Sequence, residues 1–374
     1  MSEARRLELA ALDRLFEVLR SKGYRIIGPT VRDGAILYDD IHSSTDLPRG
    51  WTEEQEAGHY RLRRRSDDAH FGFTVGPTSW RRFLDPPEEV LWTAEITAEG
   101  SWQTRPSPVS EAPLAFVGVR SCDLHAVAVQ DRVFAREDGS PGYTRRRASA
   151  LWIAVACGES AATCFCASTG TGPRPDVGYD LALTEVLEEG GAWFLAESGS
   201  PRGRELLERL PGRRVDVEER EKGEDIPRCA AEQQVRRLDR ESARGLTSVL
   251  EHPHWDVVAE RCLSCANCTL VCPTCFCGSV QDTSDLSGER IERTRRWDSC
   301  FTEDHSFIHG GSVRPTIRSR YRQWLTHKLA TWWDQFDTSG CIGCGRCITW
   351  CPTGIDLTEE VPRLLSSSSE GEDE

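Results

Sequence analysis

The sequence predicts an α/β domain with a mixed sheet over residues 1–250, followed by a smaller, mainly helical domain over residues 251–364. Three observations indicate this arrangement. In the first region, apolar runs of strand length alternate with segments of helical periodicity. A highly charged stretch over residues 213–240 is typical of a solvated connector. Beyond residue 250, two compact groups of cysteines flank a long amphipathic pattern.

The chain begins with a segment of helical periodicity. Gly23 follows that segment as a stop signal, and its apolar stripe over residues 4–21 consists of Leu7, Leu12, Leu15, Phe16 and Leu19. Next, YRIIGPTV and AILYDDI flank the tripeptide Arg32-Asp33-Gly34, which is typical of a hairpin turn. We therefore predict an amphipathic helix followed by the first strands of the sheet.

Two further apolar runs, PLAFVGVR and LWIAVA, have the length of strands. Cys122 and Cys157 follow them closely, and Asp123 is placed to cap the next helix. DLALTEV and AWFLAE predict another strand pair, and Ser200 is a candidate cap for the helix after it. The alternation predicts an α/β core with short strands side by side.

In the second region, one long helix is predicted over residues 316–336. Its apolar stripe consists of Ile317, Tyr321, Trp324, Leu325, Trp332 and Phe336. The chain ends in SSSSEGEDE, and we therefore predict that residues 365–374 form a disordered acidic tail.

Composition excludes several classes of protein. The formal net charge of -14 argues against a nucleic-acid partner, which would need a basic surface. The N-terminal segment has no apolar core of a signal peptide, and no apolar run approaches the roughly 20 residues of a membrane span. We therefore expect a cytoplasmic protein without a membrane partner. In that setting, sixteen cysteines point to metal ligation rather than disulfides.

Eight of these cysteines form two copies of the motif CxxCxxCxxxCP. The first copy consists of Cys262, Cys265, Cys268 and Cys272, and the second of Cys341, Cys344, Cys347 and Cys351. Three thiolates two residues apart wrap one loop around a cubane, and the fourth cysteine reaches the neighbouring cluster. The motifs therefore predict two 4Fe-4S clusters and a dicluster ferredoxin-type domain.

Crossed ligation follows from the same spacing. One cluster is expected on Cys262, Cys265, Cys268 and Cys351, and the other on Cys341, Cys344, Cys347 and Cys272. Two alternatives stay open. Zinc also takes four thiolates, although zinc sites usually present two separate CxxC pairs. The clusters could also be purely structural, but one cluster would suffice for that role.

Eight cysteines lie outside the two motifs. Because Cys122 and Cys157 follow neighbouring strands, they are expected together at one sheet edge, with Cys164 and Cys166 in the loop after the second strand. These four thiols are candidates for a third iron–sulfur cluster, and Cys275, Cys277 and Cys300 are alternative ligands. The alternative interpretation is that they are small buried hydrophobic side chains.

Several segments resemble a known family. GVRSCDLHAVAVQDRVF, TCFCASTGTGP and the stretch from Trp297 to Glu360 are similar to the β subunit of cytoplasmic nickel–iron hydrogenases of the sulfhydrogenase type. The electron-transfer subunit of anaerobic sulfite reductase is similar over the same motifs. The resemblance implies three partners, which are a flavin- and NAD(P)H-binding subunit, a small iron–sulfur subunit, and a nickel–iron catalytic subunit.

The residues themselves indicate no substrate chemistry in this chain. It has no GxGxxG after a predicted strand, no Walker A loop, no GxSxG elbow and no HExxH pair. We therefore expect a non-catalytic electron-transfer subunit of a hydrogenase complex. The alternatives are the electron-transfer subunit of an anaerobic sulfite reductase and a stand-alone structural or redox-sensing cluster protein.

Overall fold

The computed structural model describes residues 4–107, 112–137, 139–189 and 191–366. The strands in these residues are β1 (Ala4–Glu8), β2 (Arg25–Arg32), β3 (Ala35–Asp40), β4 (Trp51–Glu56), β5 (His59–Arg64), β6 (Glu88–Ile96), β7 (Trp102–Pro106), β8 (Leu114–Val119), β9 (Leu151–Val155), β10 (Leu181–Glu188), β11 (Gly191–Ser198), β12 (Arg213–Arg214), β13 (Gly278–Ser284), β14 (Arg290–Trp297), β15 (Phe307–Ile308) and β16 (Gly311–Ser312).

The α-helices in the same residues are α1 (Ala10–Ser21), α2 (Arg81–Leu84), α3 (Ser121–Phe134), α4 (Pro141–Ser149), α5 (Pro201–Glu208), α6 (Val217–Glu232), α7 (Arg240–Ala243), α8 (His254–Arg261), α9 (Asn267–Leu270), α10 (Ile317–Thr326), α11 (Trp332–Phe336), α12 (Arg346–Thr349) and α13 (Leu357–Leu365). A π-helical segment, His327–Thr331, joins α10 to α11. Short 3-10 turns lie at Ser44–Asp46, Arg244–Ser248 and Asp304–Ser306. Each described helix is too short or too polar to cross a bilayer.

A mixed sheet organises the first region. Its strand order is β12-β1-β11-β10-β9-β8-β2-β3, and the four neighbouring strands β10, β9, β8 and β2 run parallel. Successive side chains point to opposite faces of a strand. In β8, Ala115 and Val117 therefore pack with α1 and α5 on one face, while Phe116 packs with α3 and α4 on the other. The irregularity between Val117 and Val119 turns Val119 to the same face as Phe116. The prediction of a mixed α/β sheet is confirmed.

Several predicted elements are found where the sequence placed them. Asp33 and Gly34 both have positive φ, which closes the β2–β3 hairpin. The Ser200 Oγ accepts a hydrogen bond from the Gly203 amide and caps α5. Of the predicted acidic tail, residues 367–374 lie outside the described residues, and Leu365 ends α13.

Other predictions were wrong in detail. The first helix begins at Ala10, because Leu7 belongs to β1, which pairs with β11. Asp123 lies in the first turn of α3 but does not cap it, since its carboxylate faces Arg346. Much of the predicted solvated connector is α6, where Gly223 packs closely against Leu195 of β11.

The second region is not confirmed as mainly helical. It contains the β13–β14 hairpin, and β14 pairs with β6 to form the sheet β13-β14-β6-β7. Side chains from both sides of residue 250 also share a core, because Trp332, Ile342 and Cys344 pack with α3 and β8. The cysteine motifs are therefore built against the first region.

Candidate metal centres

The two motif loops have the same backbone design. In the first, Ser264 and Ala266 have positive φ and α9 follows. In the second, the equivalent positions are Gly343 and Gly345, again with positive φ and again followed by a one-turn helix, α12. The left-handed residues curl each loop so that its cysteines can face a common centre. The repeat in sequence is thus also a repeat in backbone conformation.

Glycine is required in the second loop for a further reason. A Cβ on Gly343 would lie 2.7 Å from the Cα of Cys166, and the Phe165 amide donates a 2.9 Å hydrogen bond to the Gly343 carbonyl. The loop that carries Cys166 therefore presses directly against the second motif. The equivalent positions of the first motif carry side chains, and the Ser264 Oγ donates a 2.9 Å hydrogen bond to the Phe301 carbonyl.

The first cavity is bounded by thiols from both motifs. Its cysteines are Cys262, Cys265, Cys268, Cys347 and Cys351. The remaining lining is apolar and aromatic and includes Phe301, Tyr321, Trp324 and Ile355. The structure therefore brings Cys351 of the second motif to the three leading cysteines of the first.

The second cavity has the reciprocal composition. Its cysteines are Cys272, Cys341, Cys344 and Cys347. Lys328, Arg346, Thr274 and Phe165 complete much of the wall. Cys347 lines both cavities, so the two cavities adjoin.

A buried lysine distinguishes the second cavity. The Lys328 ammonium, on a residue only 3% exposed, lies 3.2 Å from the Cys272 Sγ and 3.1 Å from both the Thr274 Oγ1 and the Gly340 carbonyl. Burial alone would lower the pKa of Lys328, but the thiolate of Cys272 and those of nearby cysteines raise it well above the ordinary value. A fixed positive charge therefore faces one of the predicted ligands.

The surroundings of Cys272 favour its thiolate form. A hydrogen bond from the Cys275 thiol and the charge of Lys328 outweigh burial and lower the pKa of Cys272 well below its usual range. Thiolates are the form that binds iron. Cys272 is therefore ready to act as a metal ligand.

Arg346 is a second buried cation at the second motif. Arg346 and Asp123 form an ion pair, Nη1 to Oδ1 3.0 Å, with both side chains 0% exposed. The Arg346 Nε also donates to the Gly76 carbonyl at 2.9 Å. This pair fastens the first turn of α12 to α3 of the first region.

The first cavity has the more exposed cysteines. Cys265 is exposed, and Cys262, Cys268 and Cys351 are partly buried. Burial raises the pKa of Cys262 and Cys268, so these thiols gain from a cation that stabilises their charged form. None of the described residues that line this cavity is charged.

The motif thiols are grouped around cavities. Within residues 4–366, leaving aside the few undescribed positions, no group of three or more His, Cys, Asp or Glu side chains is arranged around one metal ion. The thiols instead surround two cavities, as the ligands of cubanes do.

Seven of the eight other cysteines fall into two sets, and the eighth, Cys229, is exposed. Cys122, Cys157, Cys164 and Cys166 are buried beside the second motif. Cys275 contacts Cys272, whereas the Cys277 thiol interacts with Cys300 and His305. Cys275, Cys277 and Cys300 do not line either cysteine cavity described above.

Sequence reasoning favours a solvated helix face for the basic stretch that contains Lys328, with docking or tuning of a cluster potential as the alternative, and it misses the Arg346–Asp123 pair. A signal existed for Lys328, which lies four residues after Trp324 and four before Trp332, on the apolar stripe of the predicted helix. The π-helical segment changes the register there and buries the lysine. Nothing in the sequence pairs Asp123 with Arg346, which are 223 residues apart.

These features define an iron–sulfur protein with a ferredoxin-like pair of motifs, and residues 261–355 match the 4Fe-4S dicluster domain family. Over 354 residues the chain is 35% identical to the sulfhydrogenase 2 subunit beta of Pyrococcus furiosus, an alignment that covers 91% of this chain and 92% of that protein. No solved structure matches the chain. The chain therefore belongs to the family of sulfhydrogenase β subunits.

Proposed function

We propose that this protein is a cytoplasmic electron-transfer subunit of a nickel–iron hydrogenase complex. It exchanges electrons with two partners. One is a flavin- and NAD(P)H-binding subunit. The other is the catalytic part of the complex, which comprises a nickel–iron subunit and its small iron–sulfur subunit. The observation that carries this proposal is that two cysteine-lined cavities adjoin and share Cys347. A purely structural role would need one cluster, whereas adjoining clusters suit electron exchange.

We assign the ligands as the motif spacing and the cavity linings suggest. Cys262, Cys265, Cys268 and Cys351 would hold the first cluster, and Cys341, Cys344, Cys347 and Cys272 the second. Cys347, which also faces the first cavity, would stand between the two clusters. The clusters supply one-electron chemistry when bound. The protein's own part is to hold the thiolates, exclude water from the second cluster and set the charge around it.

The first cavity is the natural point of exchange with a partner. Cys265 is exposed, and Leu263 and Leu270 on the same motif are 63% and 45% exposed. Exposed apolar side chains beside a redox centre are typical of a docking surface. We expect a partner subunit to place its own redox centre against this face.

The partners follow from the family. The relative in Pyrococcus furiosus is named as a β subunit of a sulfhydrogenase, which implies a complex of several subunits. The acidic net charge of -14 speaks against nucleic acid. We propose a membrane-free complex in which the hydrogen chemistry belongs to another polypeptide.

The test is anaerobic purification of the complex from its host through a tag on this chain. The proposal predicts nickel, iron and flavin in the purified complex, and hydrogen-dependent reduction of NAD⁺ or NADP⁺. The isolated chain should take electrons from a reduced dye but neither oxidise hydrogen nor bind NAD(P)H. A Cys229→Ser chain, changed at an exposed cysteine, serves as the matched control.

Three results would contradict the proposal. Siroheme without nickel in the purified complex would indicate an anaerobic sulfite reductase. Purification of the clustered chain without any partner would indicate a stand-alone cluster protein. Tight binding of flavin or NAD(P)H by the isolated chain would show that this subunit has a substrate site of its own.

A further inference from the structure

We propose that Cys122, Cys157, Cys164 and Cys166, here called the sheet-edge thiols, hold a third iron–sulfur cluster next to the second cavity. This site extends the relay of the proposed function from two clusters to three. It lies in the first region of the chain, outside the matched dicluster domain over residues 261–355.

The sheet places two of the thiols side by side. Strands β8 and β9 are parallel neighbours, and Val119 pairs with Ala154 at their carboxyl ends. Cys122 and Cys157 each follow three residues later, so both leave the sheet at the same edge. The Arg120 guanidinium fixes the spacing, because its Nη1 donates a 3.0 Å hydrogen bond to the Ala156 carbonyl.

The loop after β9 brings Cys166 back to this edge, and Cys164 of the same loop lies close enough to interact with Cys157 and Cys166. A Cβ on Gly172 would lie 3.2 Å from the Cys166 Sγ and 3.2 Å from the Cβ of Ser121, the residue before Cys122. The Cys166 sulfur is therefore next to the start of α3. Only a glycine leaves room for this approach at position 172.

All four sheet-edge thiols are buried and free. Burial raises the pKa of each of them, and that of Cys166 to about 12. Mutual repulsion adds to this, because Cys157 raises the pKa of Cys164 and Cys166, and Cys166 raises that of Cys122. The thiols of the second motif have the same character, since burial and neighbouring cysteines raise the pKa of Cys347. Iron is the partner that turns such a group of thiols into favourable thiolates.

Polar groups around the thiols lack the partners that an anionic cluster would supply. The Nε of Arg120 and the Oγ of Ser121 are buried without a hydrogen-bond partner, on residues that are 0% and 1% exposed. Gln234 donates from its Nε2 to the Cys166 Sγ at 3.3 Å. Donors and a buried cation facing sulfur are the surroundings that an iron–sulfur cluster requires, and buried polar groups without partners are otherwise costly.

The third site would adjoin the second cavity, which in turn adjoins the first. Cys344 of the second motif lies close enough to repel both Cys122 and Cys166 when they are ionised. The Thr171 Oγ1, in the same loop as Cys166, donates to the Ile342 carbonyl at 2.6 Å. On the far side, Ala156 and Gly158 line a surface cavity that flanks Cys157. The order of the clusters would then be third, second, first, with an exposed face near each end.

The experiment is native mass spectrometry of the anaerobically purified chain, combined with iron and sulfide analysis. We expect the mass of three cubanes and about twelve irons in the wild-type chain. Cys122→Ser and Cys164→Ser, each tested separately, should lose one cluster and about four irons while the paramagnetic resonance signals of the other two persist. Cys229→Ser should retain all three clusters.

A wild-type chain with about eight irons would overturn the third site and leave the two-cluster proposal intact. Full iron content in both serine variants would also overturn it, because it would mean that the thiols merely pack. A chain that binds no iron at all would contradict the proposed function as well. The wild-type count needs no variant, so misfolding of a serine variant cannot hide the answer.

Discussion

The two cysteine cavities share a motif but differ in their surroundings. The first is lined by apolar and aromatic side chains and includes the exposed Cys265. The second is buried beneath the π-helical segment and is faced by Lys328 and Arg346. The two motifs therefore have identical spacing, while the long segment between them gives the two cavities different surroundings.

This difference should give the two clusters different reduction potentials. A buried positive charge stabilises the reduced, more negative form of a cluster and raises its potential. Because Lys328 faces only the second cavity, the second cluster should accept electrons more readily than the first. The first cluster should exchange electrons with partners, and the second should hold them within the subunit.

The largest expected effect concerns the ion pair that fastens the second motif. Asp123→Leu leaves Arg346 buried and unpaired, which should cost about 3–5 kcal/mol of stability. Asp123→Leu combined with Arg346→Met removes both charges and should recover much of this loss. The apparent midpoint of thermal unfolding, measured anaerobically, gives the comparison.

Glu54→Gln is the control for that measurement, because it breaks the exposed Arg63–Glu54 pair and should leave the unfolding midpoint almost unchanged. Equal losses for Asp123→Leu and Glu54→Gln would contradict the claim that the buried pair holds the second motif in place.

A smaller effect is expected from removing the buried lysine. Lys328→Met should lower the midpoint potential of the second cluster by on the order of 100 mV, roughly 2 kcal/mol for one electron, and leave the first cluster nearly unchanged. A redox titration followed by electron paramagnetic resonance would measure both potentials. Lys222→Met, at an exposed lysine, is the control. Equal shifts of both midpoint potentials, or no shift of either, would contradict the claim that Lys328 acts on the second cluster alone.

The smallest expected difference is in the order of oxidative loss. On controlled exposure to air or ferricyanide, the first cluster should decay before the second, because Cys265 is exposed whereas Cys341 and Cys344 are buried. The decay of each resonance signal with time would measure this. Simultaneous decay would show that the two cavities are equally accessible.

Local signals explain how much of the fold could be predicted from the sequence. The β2–β3 hairpin is predictable because Asp and Gly readily adopt the positive φ that such a turn needs. Asp33 and Gly34 both have positive φ in the structure. Strand β1 was missed because the short segment ARRLE continues the helical pattern of α1, and only pairing with β11 makes it a strand. The β13–β14 hairpin was missed because it is polar, and its partner β6 is nearly 200 residues earlier in the chain.

The same distinction applies to the candidate site. The motif cysteines are recognisable because their spacing in one loop is itself the requirement for binding a cluster. Lys328 and Asp123 could not be assigned roles in this way, since a charged residue on a helix is usually solvated. Their roles depend on tertiary contacts, with Cys272 in one case and with Arg346 in the other.

Crossed ligation is the central claim of this account, and a reciprocal pair of variants tests it most directly. In Cys272→Ser, the resonance signal of the second cluster should be lost or altered, although Cys272 belongs to the first motif; in Cys351→Ser, the first cluster should change instead. Resonance spectra of both variants, alongside Cys229→Ser as the control, would decide the matter once loss of a signal in Cys341→Ser, changed at a leading cysteine of the second motif, has identified the second cluster. Perturbation of the first cluster by Cys272→Ser and of the second by Cys351→Ser would show that each motif binds its own cluster and would contradict the account.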